Sequence, residues 1–319
     1  MSGDPRHLVE GNSVRAVARM TAVSKTTILK LIADLGAACE AYQNAALGNL
    51  SCKRIQRDEI WNFCCAKQKN VPAEKQGQFG LGDSWTWVAI DGDTKLVPTW
   101  VVGPRDSATA FALMEDLAGR VAERMQLTTD GLRFYADAVE HAFGANIDSS
   151  VLVKMYGNDG AQGNQARYSP AECTGTQVIP ISGRPKAEHV STSYVERQNL
   201  TMRMQMRRFT RLTNAFSKKI ENLRWSVAIH FMHYNFCRIH PTLRVTVKPK
   251  VRNPRNRTIL PTYRATQRFC LSILLGRNRR ATRRGLFGRE SGRRGRGLLP
   301  CAGVGCTWRC GRCARPSRS

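Results

Sequence analysis

The chain has 319 residues and a formal net charge of +26, a length that suits one large or two small domains, each with its own core. The charge is uneven, because residues 249–319 hold 19 Lys+Arg against one acidic residue and leave +8 on the first 248. No apolar run approaches the ~20 residues that cross a bilayer, so a membrane span is excluded, while a basic excess over a folded region suits a DNA partner.

Cys39, Cys52, Cys64, Cys65, Cys173 and Cys237 are scattered without a regular framework, and no signal-peptide pattern opens the chain. A reduced, cytoplasmic protein with free buried thiols is expected.

In chain order, residues 11–36 (GNSVRAVARMTAVSKTTILKLIADLG) predict two short helices. Val14, Val17 and Ala18 form one apolar face, Val23, Ile28 and Leu31 another, and Ser24 is placed to cap the second helix. Ala22 falls in the turn, where a helix-turn-helix usually carries glycine. In that motif Ser24, Lys25, Thr26, Thr27 and Lys30 face the major groove or its phosphates. An ordinary αα-hairpin with a solvated polar face fits the same pattern. Residues 37–54 read as a linker.

Strands are expected over 55–67, 84–91 and 95–103, with Asp91-Gly92-Asp93-Thr94 as turn chemistry between the last two. Phe111, Met114, Leu117, Val121 and Met125 then predict a helix over 107–125. A short strand at 126–130, a helix at 134–143 and a strand at 151–157 follow. Residues 158–190, rich in Gly, Asn, Pro and Ser, read as a long loop. Two helices close the series, over 192–211 and 214–239, the second striped by Phe216, Ile220, Leu223, Val227, Phe231 and Tyr234. The order implies an α/β fold, a mixed sheet with helices on its faces.

Phosphodiester chemistry by two metal ions needs clustered carboxylates. Asp58 lies inside the first strand, where a charge is costly unless paired or metal-bound. Asp130 closes the fourth strand, at the carboxyl edge where α/β sheets place sites. Glu196 begins a helix on which Asn199 and Arg203 follow at i+3 and i+7, on the same face. Each acid has an ordinary structural alternative. Asp58 and Glu59 point to opposite sides of the strand, so one of the two is expected to enter a site, and periodicity does not choose. His230 and His233, on an apolar helix, read as packing residues.

The chain resembles the DDE transposases of bacterial insertion sequences, in particular the insertion-sequence-one family. The resemblance rests on LVEGNSVRAVARMTAVSKTTILKL, RDEIWNF around Asp58, LTTDG around Asp130, YVERQNLTMRMQMRRFTR around Glu196, and YNFCRIHPTLRVT at 234–246, in that order. It implies a helix-turn-helix segment over 1–36, a linker over 37–54, and an RNase H-like catalytic domain over 55–246. It further implies Asp58, Asp130 and Glu196 as both catalytic triad and ligands for two Mg²⁺ or Mn²⁺ ions, selecting Asp58 over Glu59. Asn199 and Arg203 match polar positions on the glutamate helix, where the arginine contacts DNA; Tyr194 and Arg197 flank the site.

The implied reaction is hydrolysis at the element's ends, then attack of the freed 3′-hydroxyl on target DNA. The partners are double-stranded DNA and further copies of the chain, with no small-molecule substrate, and the implied location is the nucleoid. A DNA-binding repressor or inactive remnant of the element, and an RNase H-like cellular nuclease, are the competing functions. Two features depart from the family. No cysteine-paired zinc segment precedes Gly11, which is expected of a truncated or misassigned start. The resemblance also stops near Thr246, and residues 247–319 read as translation in a shifted frame, with a disordered basic arm or a zinc site at Cys301, Cys306, Cys310 and Cys313 as alternatives.

Overall fold

The computed structural model describes residues 5–132, 134–157, 173–210, 214–240 and 243–244. Two units divide the chain, Met1–Asn278 and Arg279–Ser319, and every described residue belongs to the first. The readings made for residues 247–319, including the four tail cysteines, lie outside the described residues.

A six-stranded mixed sheet organises this unit, in the order β3-β2-β1-β4-β5-β6. Strand β1 (Arg54–Cys64) pairs antiparallel with β2 (Gly82–Asp91), which pairs antiparallel with β3 (Thr99–Gly103). On the other side of β1, β4 (Met125–Thr129) and β5 (Ile147–Tyr156) run parallel to it. The last strand, β6 (Cys173–Ser182), returns antiparallel along β5.

Alternation along β1 feeds two apolar layers. Ile55 joins one cluster with Ile28, Leu35, Leu113, Leu117 and Ala138, while Ile60 and Cys64 join another with Val195, Met202, Leu223 and Val227. The first layer draws on helices α2 (Lys25–Ala46), α3 (Ser107–Arg120) and α4 (Phe134–Phe143); the second draws on α5 (Ser193–Gln205) and α6 (Ile220–Met232).

Helix α1 (Val14–Thr21) opens on Ser13, whose hydroxyl accepts from the Ala16 N–H. Ala22 then takes a left-handed conformation, φ 56° and ψ 18°, in the turn where glycine was expected. Ser24 caps α2 as expected, accepting from the Thr27 N–H at 3.2 Å. Inside α2 the buried stripe is Ile28, Ile32, Leu35 and Cys39, at spacings of four, three and four. Ile32 therefore takes the core place that the sequence reading gave to Leu31, which is only half-buried.

Residues 37–46, expected as linker, continue α2 as helix. The buried stripe extends that far because α6 covers it. Gln43, buried, donates to the carbonyl of Ala228 at 3.0 Å. At Gly36 the backbones come so close that a Cβ there would stand 2.5 Å from the Trp225 Cβ. Part of the expected 158–190 loop is also ordered structure: residues 173–182 form β6. Their β-formers Thr174, Thr176, Val178 and Ile179 are masked in sequence by Gly175 and Pro180, and β6 is an edge strand, where proline is tolerated. Residues 158–172 lie outside the described residues. Helix α5 stops at Gln205 rather than 211, and α6 begins at Ile220 rather than 214, leaving Phe216 ahead of it. Ser217 instead forms an isolated parallel bridge with Cys64.

Among the described residues no helix is long and apolar enough to cross a membrane. Cys39, Cys52 and Cys64 are buried free thiols, whereas Cys65 and Cys173 are free and exposed, against the expectation of burial.

Candidate metal centre

The site is built where β1 outruns its neighbour. The pairing of β1 with β4 ends at Gln56 opposite Thr128, while pairing with β2 continues to Cys64. Asp58 thus lies just past the last shared rung, and Asp130 is the first residue beyond β4. The β1–β4 ladder stops here, and side chains reach across the open edge.

Asp58, Glu59 and Asp130 each offer a carboxylate oxygen, all within 4.8 Å of one another. The expectation that only one of Asp58 and Glu59 would enter the site is corrected. Although alternate strand residues face opposite sides, both reach Asp130 because no strand separates them at this edge. Glu59 is nevertheless heavily engaged. Arg57, fully buried, donates to it at 2.7 Å and to Asp130 at 3.1 Å. The Tyr135 hydroxyl donates to Glu59 at 2.6 Å, and Arg105 stands 3.6 Å away. Burial pushes the Glu59 carboxyl up to about 7, with Arg57 holding it back. Burial likewise lowers the Arg57 guanidinium to about 10 against the pull of Glu59 and Asp130.

Asp58 faces the α5 side. The side chains preceding it on this face set the helix: Gln56 accepts from the Tyr194 N–H at 2.9 Å and the Val195 N–H at 3.3 Å. Asn199 then donates to Asp58 at 2.9 Å, and the Glu59 N–H donates to its other oxygen at 2.8 Å. Burial raises the Asp58 pKa, the Glu59 N–H opposes that, and the charges of Asp130 and Glu196 raise it further.

Glu196 sits in the first turn of α5 and lies outside the 4.8 Å group. The Thr192 hydroxyl donates to it at 2.6 Å, and Lys154 from β5 forms an ion pair with the same oxygen. Arg203 follows Asn199 one turn along α5 and is half-buried. Ser24, Lys25, Thr26, Thr27 and Lys30 are all exposed at the start of α2. His230 is buried among apolar side chains, hydrogen-bonded to Gln198 at 3.2 Å, in line with a packing role.

Four residues of the site went unread in the sequence: Arg57, Glu59 as an occupant, Tyr135 and Lys154. Arg57 and Glu59 carried a signal, two opposite charges at i and i+2 on a strand face otherwise made of Ile55, Trp61 and Phe63. The donor set of the cluster is all carboxylate oxygen, which fits a hard divalent cation such as Mg²⁺ or Mn²⁺ rather than a thiolate-seeking metal. The charge repulsion felt by Asp58 is what such an ion would relieve.

No protein-family model matches the chain, and no curated protein matches it. Among solved structures, a piggyBac transposase synaptic complex with hairpin DNA is similar at 9% identity and a TM-score of 0.28. The match covers 71% of this chain and 54% of that one, so the chain spans about half the length of that transposase. So slight a likeness carries no argument about function.

Proposed function

We propose that the chain is a DDE transposase of the insertion-sequence-one type, cutting duplex DNA at an element's ends and joining them to a target. The carrying observation is the place of Asp58: half-buried on the central strand, beside Asp130, and within the field of Glu196. The mixed sheet, three antiparallel strands followed by two parallel to the first, is compatible with the RNase H-like fold that the resemblance implies.

In this reading Asp58, Asp130 and Glu196 are the ligands, and Glu59 is a structural carboxylate neutralised by Arg57 and Tyr135. Bound divalent ions would activate the attacking oxygen and stabilise the leaving one. Asn199 orients Asp58, Arg57 restrains Asp130, and Lys154 holds Glu196 until an ion competes for it. Ser24, Lys25, Thr26, Thr27 and Lys30 read the element's ends, while Arg203 contacts DNA near the cut. Transposition bridges two ends, so the active form is a multimer.

The test is nicking of supercoiled plasmid by the purified chain with Mg²⁺ or Mn²⁺. Nicking that needs the ion and vanishes in Asp58→Asn, with duplex binding retained, supports the enzyme. Binding without nicking in either protein would instead mark a repressor or inactive remnant.

A further inference from the structure

We propose that the cleft between the first two helices and residues 206–208 and 214–222 is a track for the phosphate backbone of duplex DNA. It deepens the transposase reading by giving the enzyme a contact surface apart from its carboxylates. The cleft has a volume of about 490 Å³ and is lined by Arg15, Lys25, Arg207, Arg208 and Lys218, with three asparagines and no acidic residue. Five cations from three segments, with no carboxylate between them, call for a polyvalent anion rather than a single phosphate.

Arg208 carries the argument furthest. Its guanidinium donates to the Ser217 hydroxyl at 2.6 Å, and among the described residues no carboxylate pairs with it. Burial pulls its pKa down, with only the Cys64 thiol opposing. Arg208 is half-buried, and a phosphate would supply the counter-charge and accept from the planar fork of its guanidinium. The backbone beneath it is fixed: Asn62 donates to the Arg208 carbonyl at 3.1 Å, and Cys64 bridges Ser217. Lys218 rests over the Phe216 ring, 4.8 Å from its centroid, which holds the amine at the cleft.

Position ties the cleft to the carboxylates. Asn62 lies four residues along β1 from Asp58, on the same face, roughly 13 Å away. At about 3.4 Å per base pair, a duplex cut at Asp58 presents phosphates near Arg208 about four base pairs from the cut.

The experiment uses the full chain carrying Asp58→Asn, without divalent ion, and a labelled duplex oligonucleotide over a salt series. Arg15→Ala, Arg207→Ala and Lys218→Ala are combined, all three being exposed. The control removes equal charge elsewhere, through Lys69→Ala, Lys75→Ala and Arg184→Ala, also exposed. The cleft triple is expected to weaken binding on every sequence and to flatten the slope of log affinity against log salt by about 2.7, or 0.9 per lost phosphate contact. Equal changes in the two triples would overturn the proposal. The plasmid assay separates the two ideas: a cleft-specific slope change without metal-dependent nicking keeps the track and removes the transposase reading, and nicking without the slope change does the reverse.

Discussion

Asn199 donates to Asp58 at 2.9 Å, joining the middle of α5 to the central strand across 141 positions of sequence. Asn199 is buried, and its carbonyl oxygen has no partner among the described residues. Its amide therefore serves Asp58 alone. Asn199→Ala is expected to slow metal-dependent nicking by ~10–100-fold while the protein stays folded, the usual effect of losing a group that orients a metal ligand. A nicking rate within twofold of wild type would remove Asn199 from that role.

Glu196 and Glu59 should separate cleanly. Glu196→Gln alters a carboxylate on an exposed helix turn, so it is expected to abolish nicking and leave the melting temperature nearly unchanged. Glu59→Gln withdraws charge from the fully buried Arg57, at a cost of about 3 kcal/mol or more, because a buried cation loses half its compensation. Melting curves and plasmid nicking on both variants decide this. A stable Glu59→Gln protein that cannot nick would make Glu59, not Glu196, the third ligand.

Much of this arrangement was legible. Asp58 stood out because a charge inside a strand needs a reason, and Asp130 because it ends one. The register that brings Glu59 to the same opening was not legible, since it depends on where β4 stops alongside β1. Nor was Lys154 readable as a partner of Glu196, because that contact needs β5 and α5 side by side, 42 positions apart. The α2 stripe stayed hidden beyond Ile28, where Leu31 was read in place of Ile32, and its far end stayed hidden because Gln43 looks polar until α6 covers it. Strand β6 stayed hidden because glycine and proline usually mark turns.

Acid should destabilise the fold through His230 and His233. Burial lowers them to about 3 and about 4 from 6.5, so the unfolded chain binds protons that the folded one refuses. Their contribution is present above pH 6.5 and is lost as pH falls toward 3, by about 1.4 kcal/mol per histidine per pH unit. Glu59 acts oppositely between about 7 and 4.5, where the folded state holds its proton more tightly. His230→Gln removes one of the two histidine contributions. The melting temperatures of wild type and variant should therefore converge as pH drops from 7 to 4. A constant gap would show that His230 is not excluded from protonation in the fold.

Gly36→Ala tests the seat of α2. The added methyl would lie 2.5 Å from the Trp225 Cβ and 2.7 Å from its Cα, so the helices must part. A loss of roughly 1–3 kcal/mol is expected, against the small gain alanine brings to an exposed helix. Thermal unfolding measures it, and unchanged stability would mean that α6 yields freely.

Because α2 is one helix of 22 residues from the exposed Lys25 to Ala46, docked on α6 rather than tethered to it, the unit has the character of a measuring gauge. Along that helix a residue added or removed turns one end against the other by about 100° and shifts it by about 1.5 Å. A flexible tether would absorb such a change, whereas here it alters angular phase and length together, so the placement of the exposed Lys25 relative to strand β1 is written into the number of residues in a single helix.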